Sequence, residues 1–200
     1  MSKGYRLCLC VLATMAMYKP AIADDVSDGT FQCLLNLTKV KHVYVANLLG
    51  SVEGTVEAAN NPEGGVYPVG SVLQQSPTEA MVKRDAGFNP DTNDWEFFVL
   101  DLSPQGTTIK QRGGAEVVNA AGDSCAACHM GAAPQWDMTC GNHKDCSPLA
   151  ISRQDMRMQA VFDPRCDGGR TSKTRNQDMF FLQHRLAREL VEDMSKEPQQ

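Results

Sequence analysis

Asn93-Asp94-Trp95-Glu96-Phe97-Phe98-Val99-Leu100-Asp101-Leu102 is the stretch that decides the fold of this 200-residue chain. Asparagine and aspartate form a turn signal, and a run rich in aromatic and branched side chains follows it. Such a composition favours a β-strand, because these side chains suit a pleated surface. The stretch therefore predicts a strand over residues 95–102.

Further strand patterns lie on both sides of this stretch. They are Val43-Tyr44-Val45, residues 67–75, residues 80–84 and residues 107–112. Apolar residues recur at helical spacing over residues 47–60, and Asn61-Pro62-Glu63-Gly64-Gly65 ends that helix. Two later helices are predicted, one from the capping box Ser152-x-x-Asp155 to about Phe162 and one over residues 176–193. The pattern predicts an α+β fold, mainly β, in which an antiparallel meander packs with a few helices.

Cys125-Ala126-Ala127-Cys128-His129 is the motif that indicates chemistry. C-x-x-C-H is the spacing for covalent attachment of a c-type haem. The two thiols can each add to one vinyl group of the porphyrin, and the adjoining imidazole can bind the iron. We therefore expect the fold to surround one covalent haem c, with thioethers at Cys125 and Cys128 and with His129 as the proximal iron ligand.

Other interpretations of this cysteine pair remain open. A structural zinc site needs further Cys or His ligands, and Cys140, His143 and Cys146 could supply them. The pair could also form a plain disulfide. A thioredoxin-like redox motif would need a βαβ context, and none surrounds Cys125.

Residues 1–23 have the features of a secretory signal peptide. Lys3 and Arg6 precede an apolar run over residues 7–17, and Ala21-Ile22-Ala23 offers a cleavage site. This run is too short to span a bilayer, and no later segment approaches the roughly 20 apolar residues of a transmembrane helix. We expect a periplasmic haem domain over residues 24–195, followed by a disordered tail over residues 196–200.

Four cysteines remain outside the signal peptide and the haem motif: Cys33, Cys140, Cys146 and Cys166. They allow three disulfide pairings, and an oxidising compartment lets disulfides persist. Cys140 and Cys146 enclose a short loop that a disulfide could close. That loop favours Cys140–Cys146 together with Cys33–Cys166.

The charge balance is acidic. The whole chain has 19 basic and 24 acidic residues. Removal of residues 1–23 takes away three bases and no acid, which leaves 16 bases against 24 acids and a formal charge of −8. This balance argues against a nucleic-acid partner. It suits a basic redox partner or a cationic small molecule, or it serves solubility alone.

The order of these segments resembles the cytochrome P460 family over residues 40–150. The matching segments are Val43-Tyr44-Val45, Tyr67-Pro68-x-Gly70-Ser71-Val72, Glu79-Ala80-Met81-Val82-Lys83-Arg84, Asn93-Asp94-Trp95-Glu96-Phe97-Phe98, the C-x-x-C-H motif and Asp137-Met138-Thr139-Cys140. The resemblance implies a mainly β fold, often a homodimer, with one c-type haem bound by His129. It also implies an iron that is open on its distal side.

The resemblance covers two functional branches. Members that oxidise hydroxylamine carry a lysine bonded to the porphyrin edge and a distal carboxylate that accepts protons. The matching positions are Gln75, whose amide is not nucleophilic, and Glu79. The β-type cytochromes c′ lack the lysine and bind nitric oxide beneath a hydrophobic cap. Phe88, Phe97 and Phe98 could form such a cap, although a phenylalanine on a strand more often belongs to the core.

The prediction is a redox-active periplasmic cytochrome that binds a small nitrogen ligand such as nitric oxide and exchanges electrons with a partner protein. One alternative is a hydroxylamine-oxidising enzyme, with Glu79 as proton acceptor, that passes electrons to a partner cytochrome. Another is an electron carrier with a Met or His as sixth ligand. Lys83 and Arg84 are candidates for contacts with the haem propionates. The candidate sixth ligands are Met130, Met138, Met156, Met158 and His143.

Overall fold

The computed structural model describes residues 26–140 and 159–167. The predicted signal peptide over residues 1–23, the helix over residues 176–193 and the tail over residues 196–200 lie outside these ranges. Of the helix predicted to run from Ser152 to Phe162, residues 159–161 are described and are helical. Within the two described ranges, no helix combines the length and apolar character needed to cross a membrane.

Six strands form one antiparallel sheet in which the spatial order equals the chain order. The strands are β1 (Thr38–Val40), β2 (Val43–Asn47), β3 (Ser71–Gln74), β4 (Glu79–Lys83), β5 (Trp95–Ser103) and β6 (Gly106–Gly113). Each strand pairs with the next one along the chain. The predicted antiparallel meander is confirmed, and the fold is α+β and mainly β.

Two α-helices accompany the sheet in the described part of the chain: α1 (Glu53–Asn60) and α2 (Cys125–His129). The helix predicted over residues 47–60 is wrong in its first turns. Asn47 ends β2, and its side-chain oxygen accepts a hydrogen bond from the Leu49 N–H at 2.8 Å. This bond closes a local turn that competes with a helix. Gly50 then has φ +95°, which a right-handed helix does not allow.

The strand predicted over residues 67–75 begins only at Ser71. Gly70 precedes it with φ +85°, and a Cβ atom there would lie 2.9 Å from the Asn47 side-chain oxygen. Only glycine fits this close approach. The three-residue strand β1 was not predicted, because the residues that link it to β2, Lys41 and His42, are not typical turn residues. In the structure Lys41 nevertheless adopts the left-handed conformation that closes this turn.

Side chains alternate between the two faces of the sheet. We call one face the α2 face; it carries Val45, Leu73, Met81, Trp95 and Phe97, which pack with Ala126 of α2. We call the other the Phe31 face; it carries Val72, Val82, Phe98 and Leu100, which pack against Phe31. Because α2 packs on the first face only, that face positions the Cys-x-x-Cys-His motif.

A disulfide joins Cys33 to Cys166, which confirms this half of the favoured pairing. Asp163 strengthens the same junction: its buried carboxylate accepts a hydrogen bond from the Leu34 N–H at 3.0 Å and pairs with Arg165 at 2.7 Å. Cys140 is also disulfide-bonded. Since Cys146 lies outside the described residues, the pairing of these two cysteines stays a prediction.

Candidate functional site

The site is built on the short helix α2. Ser124 caps this helix, because its hydroxyl accepts a hydrogen bond from the Ala127 N–H at 3.2 Å. Cys125 and His129 are four residues apart, which places them on the same side of the helix. Both side chains line one cavity.

The cavity has a volume of about 420 Å³. Its other walls include Leu73, Met81 and Phe97 from three neighbouring strands of the α2 face, together with Tyr67. Small-molecule and cofactor sites commonly have volumes of roughly 300–1,000 Å³ and mostly apolar walls. The space is therefore suitable for a small ligand or for the face of a flat cofactor.

The ring of His129 is held by one hydrogen bond. Its Nδ1 lies 2.6 Å from the carbonyl oxygen of Met138. Because a carbonyl oxygen only accepts, Nδ1 carries the proton and Nε2 keeps its lone pair. Burial lowers the pKa of His129 and so favours the neutral ring, and Phe97 packs against it at 5.2 Å between ring centroids. Metal-binding histidines usually donate their second N–H in this way.

The turn that presents the Met138 carbonyl is strained. Asp137 has φ +48° and Met138 has φ +60°, two consecutive non-glycine residues in the left-handed region. Each costs on the order of 1–3 kcal/mol and persists only where its neighbours hold it. Asp137 supplies that support: its carboxylate pairs with Lys83 at 2.7 Å and accepts the Tyr67 N–H at 2.8 Å, and its carbonyl accepts Trp95 Nε1–H at 2.7 Å.

Cys125 and Cys128 are both free thiols, whereas the other described cysteines are disulfide-bonded. The plain-disulfide interpretation of this pair is therefore not supported. Burial raises the pKa of Cys125 to about 11, and the nearby charge of Glu79 adds to the effect. The thiol stays protonated at neutral pH, so the chain itself does not activate it.

The zinc interpretation needs two further ligands beside Cys125 and Cys128, and Cys140 is one candidate only if its sulfur is a thiolate. Its sulfur is in a disulfide, and the other two candidate ligands lie outside the described residues. A second group of ligand-type atoms, from Cys33, Asp163 and Cys166, lies within 4.8 Å of one another. Both sulfurs of this group are bonded to each other in the Cys33–Cys166 disulfide. Among the described cysteines, Cys33, Cys140 and Cys166 therefore offer no thiolate to a metal in this state.

Glu79 begins β4 and lines the same cavity as Cys125 and His129. Its side chain keeps an exposed surface, while the surrounding protein raises the pKa of its carboxyl by desolvation. Gln75, the position that matches the cross-linking lysine of the resembled family, also lines the cavity. The structure therefore brings four of the predicted site residues to one cavity: Gln75, Glu79, Cys125 and His129.

Lys83 and Arg84 are buried and engaged with carboxylates. Lys83 pairs with Asp137, and Arg84 pairs with Glu96 at 2.7 Å. Neither residue lines the cavity. Their charges stabilise buried acids in this structure, and contacts with propionates stay a prediction.

The three phenylalanines considered as a distal cap lie in three different places. Phe97 contacts His129 on the α2 face, while Phe98 packs against Phe31 on the other face at 4.9 Å. Phe88 is 40% exposed and lies 5.3 Å from the Arg84 guanidinium. Phe97 and Phe98 both border the cavity, but their rings pack in different cores on opposite faces of the sheet, so the three rings do not form one cap.

Sequence reasoning did not identify the roles of Asp137, Tyr67 and Met81. Met81 lines the cavity, and the alternation of β4 could have shown that it shares a face with Glu79 and Lys83. Asp137 carries no local signal, because its partners come from distant parts of the chain. Among the candidate sixth ligands, Met130 is 56% exposed and Met138 packs against the core; Met156, Met158 and His143 lie outside the described residues.

Comparisons with protein-family models, with curated proteins and with solved structures give no match. The fold and the site define a mainly β protein in which a free Cys-x-x-Cys-His helix borders a cavity on one face of the sheet. Because a fold does not imply a function, the function has to be argued from this site.

Proposed function

We propose that this chain is a monohaem c-type cytochrome similar to the cytochrome P460 family, with thioethers at Cys125 and Cys128 and with His129 as the iron ligand. The observation that carries the proposal is the state of His129, which lines the cavity while its Nδ1–H is bound to Met138 and its Nε2 keeps a lone pair. Two free thiols on the same short helix support it. When bound by these three residues, a haem would supply one-electron redox chemistry and could bind a small ligand at its iron.

The ligand we propose is nitric oxide or a similar small nitrogen compound, bound in a periplasmic protein that exchanges electrons with a partner. The cavity of about 420 Å³ that His129 lines supports a pocket of the size that cofactors and small ligands use. The formal charge of −8 over residues 24–200, from 16 bases and 24 acids, supports a partner with a basic docking surface. A homodimer rests on the family resemblance alone.

Covalent attachment is tested by producing the full chain together with a working c-type maturation system. We expect an intact mass increased by one haem that denaturation does not remove. The double variant Cys125→Ala/Cys128→Ala should lose this increase, and the control Met130→Ala, which changes an exposed side chain beside His129, should keep it. Colourless wild-type protein would overturn the proposal.

Iron ligation is tested separately by His129→Gln. This variant keeps both thiols, so the haem mass should remain while the visible spectrum changes. An unchanged spectrum would show that another side chain binds the iron. In the wild type, nitric oxide should shift the Soret band, whereas sharp α and β bands with no response to the ligand would indicate a six-coordinate electron carrier instead.

Hydroxylamine oxidation is the second candidate function. The position of Glu79 favours it, because a carboxyl group with a raised pKa lines the same cavity as His129. We expect Glu79→Gln to lower hydroxylamine turnover, measured with an artificial electron acceptor, and the exposed-residue control Glu63→Gln to leave it unchanged. Equal turnover in both variants would remove Glu79 from the reaction, and no turnover in the wild type would leave ligand binding as the function.

A further inference from the structure

We infer that Asp137 is a positioning residue for His129: its buried carboxylate holds the turn that presents the Met138 carbonyl, and so controls how strongly the imidazole donates to the iron. The inference rests on the proposed haem site. It concerns a residue that never touches the cavity ligand, since its effect passes through the Nδ1 hydrogen bond of His129.

The Asp137 carboxylate joins three distant segments. It is 1% exposed. Oδ1 pairs with Lys83 Nζ at 2.7 Å and accepts a hydrogen bond from the Asn93 side-chain amide. Oδ2 accepts the Tyr67 N–H at 2.8 Å. Both carboxylate oxygens are therefore used, and one acid fixes the end of β4, the turn before β5 and the segment before β3 relative to one another.

Two strained turns meet at this ion pair. Asn93 and Asp94 have φ +51° and +60°, in the same left-handed region as Asp137 and Met138. The Lys83 ammonium bonds the Asn93 carbonyl oxygen at 2.7 Å as well as the Asp137 carboxylate. Backbone of this kind persists where the surroundings over-determine it. The Lys83–Asp137 pair thus holds both turns in place at once.

The turn passes its geometry directly to His129. Trp95 Nε1–H fixes the Asp137 carbonyl at 2.7 Å, and the next carbonyl, that of Met138, accepts His129 Nδ1–H at 2.6 Å. A firm Nδ1–H bond to an acceptor makes an imidazole a more basic ligand, which favours the oxidised metal. Loosening the turn should weaken that bond, raise the reduction potential of the iron and lower the iron–histidine stretching frequency.

The experiment uses the haem-bearing full chain and compares Asp137→Asn with Lys83→Met. Both variants break the same pair, so positioning predicts that both raise the reduction potential and lower the iron–histidine frequency measured by resonance Raman spectroscopy. A direct charge effect predicts opposite shifts, because one variant removes a negative charge and the other a positive charge. Potential shifts of opposite sign would overturn the inference.

Glu96→Gln is the matched control. Glu96 is 3% exposed and pairs with Arg84 and Arg112, yet its side chain lies on the Phe31 face. This variant should lower the free energy of unfolding without changing the reduction potential or the iron–histidine frequency. Shifts equal to those of Asp137→Asn would attribute the effect to general loosening of the fold and overturn the inference.

A milder variant is used if Asp137→Asn retains no haem. Asn93→Ala removes one hydrogen bond to Asp137 with all charges intact, so it should shift the reduction potential and the frequency in the same direction by smaller amounts. Values equal to those of the wild type would contradict the positioning role of Asp137.

The outcomes separate this inference from the proposed function. Colourless wild-type protein would overturn the haem proposal itself. A wild type that binds haem, with an Asp137→Asn variant whose potential and frequency equal those of the wild type, would overturn the positioning role alone.

Discussion

At the scale of single residues, burial controls the two reactive groups of the motif in a common way. It raises the pKa of Cys125 and lowers the pKa of His129, so it favours the neutral form of both side chains. A neutral imidazole with a free Nε2 is ready to bind a metal. A neutral thiol, in contrast, has to be activated from outside, which the proposed attachment of haem by a maturation system would require.

The reactivity of Cys125 follows from its raised pKa. A change from 9.0 to about 11 lowers the thiolate population near neutral pH about 100-fold. Because a thiolate of higher pKa is also the stronger nucleophile, iodoacetamide should alkylate Cys125 about 10-fold to 100-fold more slowly than an ordinary cysteine. The rate should rise about tenfold per pH unit until the pH nears 11. The alkylation rate of Cys125 is measured by peptide mapping of protein that is produced without maturation factors and kept reduced.

The neighbour Glu79 provides a paired test of the same prediction. Its charge contributes to the raised pKa of Cys125, so Glu79→Gln should speed alkylation, whereas Glu63→Gln should not. Rapid alkylation of Cys125 at pH 7 in the unchanged chain would contradict the environment described here.

At the scale of elements, β5 is the strand on which both halves of the core are built. Trp95 and Phe97 pack on the α2 face, and Phe98 and Leu100 pack on the Phe31 face. β4 pairs with residues 95–99 of this strand, and β6 pairs with residues 97–103, with one register shift between Val99 and Leu100. The strand therefore links the cavity wall to the opposite core.

Truncation of β5 should be costly on the Phe31 face. Phe98 is fully buried, so Phe98→Ala should lower the free energy of unfolding by about 3–5 kcal/mol through lost burial and a residual cavity. Phe88→Ala changes a ring that is 40% exposed beside Arg84 and should cost about 1 kcal/mol or less. Urea unfolding of both variants measures the difference, and equal midpoints would contradict the packing described.

At the scale of the whole molecule, the residues around Cys166 fasten distant parts of the chain together. Arg165 donates to the Phe31 carbonyl at 3.2 Å, to the Thr107 hydroxyl at 3.0 Å and to the Pro77 carbonyl at 3.3 Å. The Cys33–Cys166 disulfide adds a covalent link across a separation of 133 residues. These contacts cover the Phe31 face, opposite the candidate site.

Removal of that link should destabilise the molecule as a whole. A disulfide that closes a long loop restricts the unfolded chain, so Cys33→Ala/Cys166→Ala should lower the free energy of unfolding by about 2–5 kcal/mol. Urea unfolding in oxidising buffer measures the loss. A reductant should then shift the midpoint of the wild type by more than that of the double variant, and equal shifts would contradict a stabilising role for this disulfide.

Local pattern was sufficient for most of the sheet. The strands predicted over residues 80–84, 95–102 and 107–112 are observed as Glu79–Lys83, Trp95–Ser103 and Gly106–Gly113. These runs carry their own β-branched and aromatic residues, so neighbours in sequence predict them. The error at residues 67–70 lies where Gly70 and Asn47 make a contact that depends on two segments meeting. The error at residues 47–52 lies where Asn47 closes a local turn with Leu49 in place of a helix.

The sequence by itself determined the strand meander, the C-x-x-C-H motif and the favoured Cys33–Cys166 pairing, because residue type and short-range spacing carry that information. Only the tertiary structure decided which acid supports His129. Asp137 and Lys83 are 54 residues apart in the chain. The Met138 carbonyl that accepts the His129 Nδ1–H belongs to a turn that neither strand periodicity nor helical periodicity encodes. The physical reason is that a buried charge is stable only beside its partner, and the folded sheet is what brings the two together.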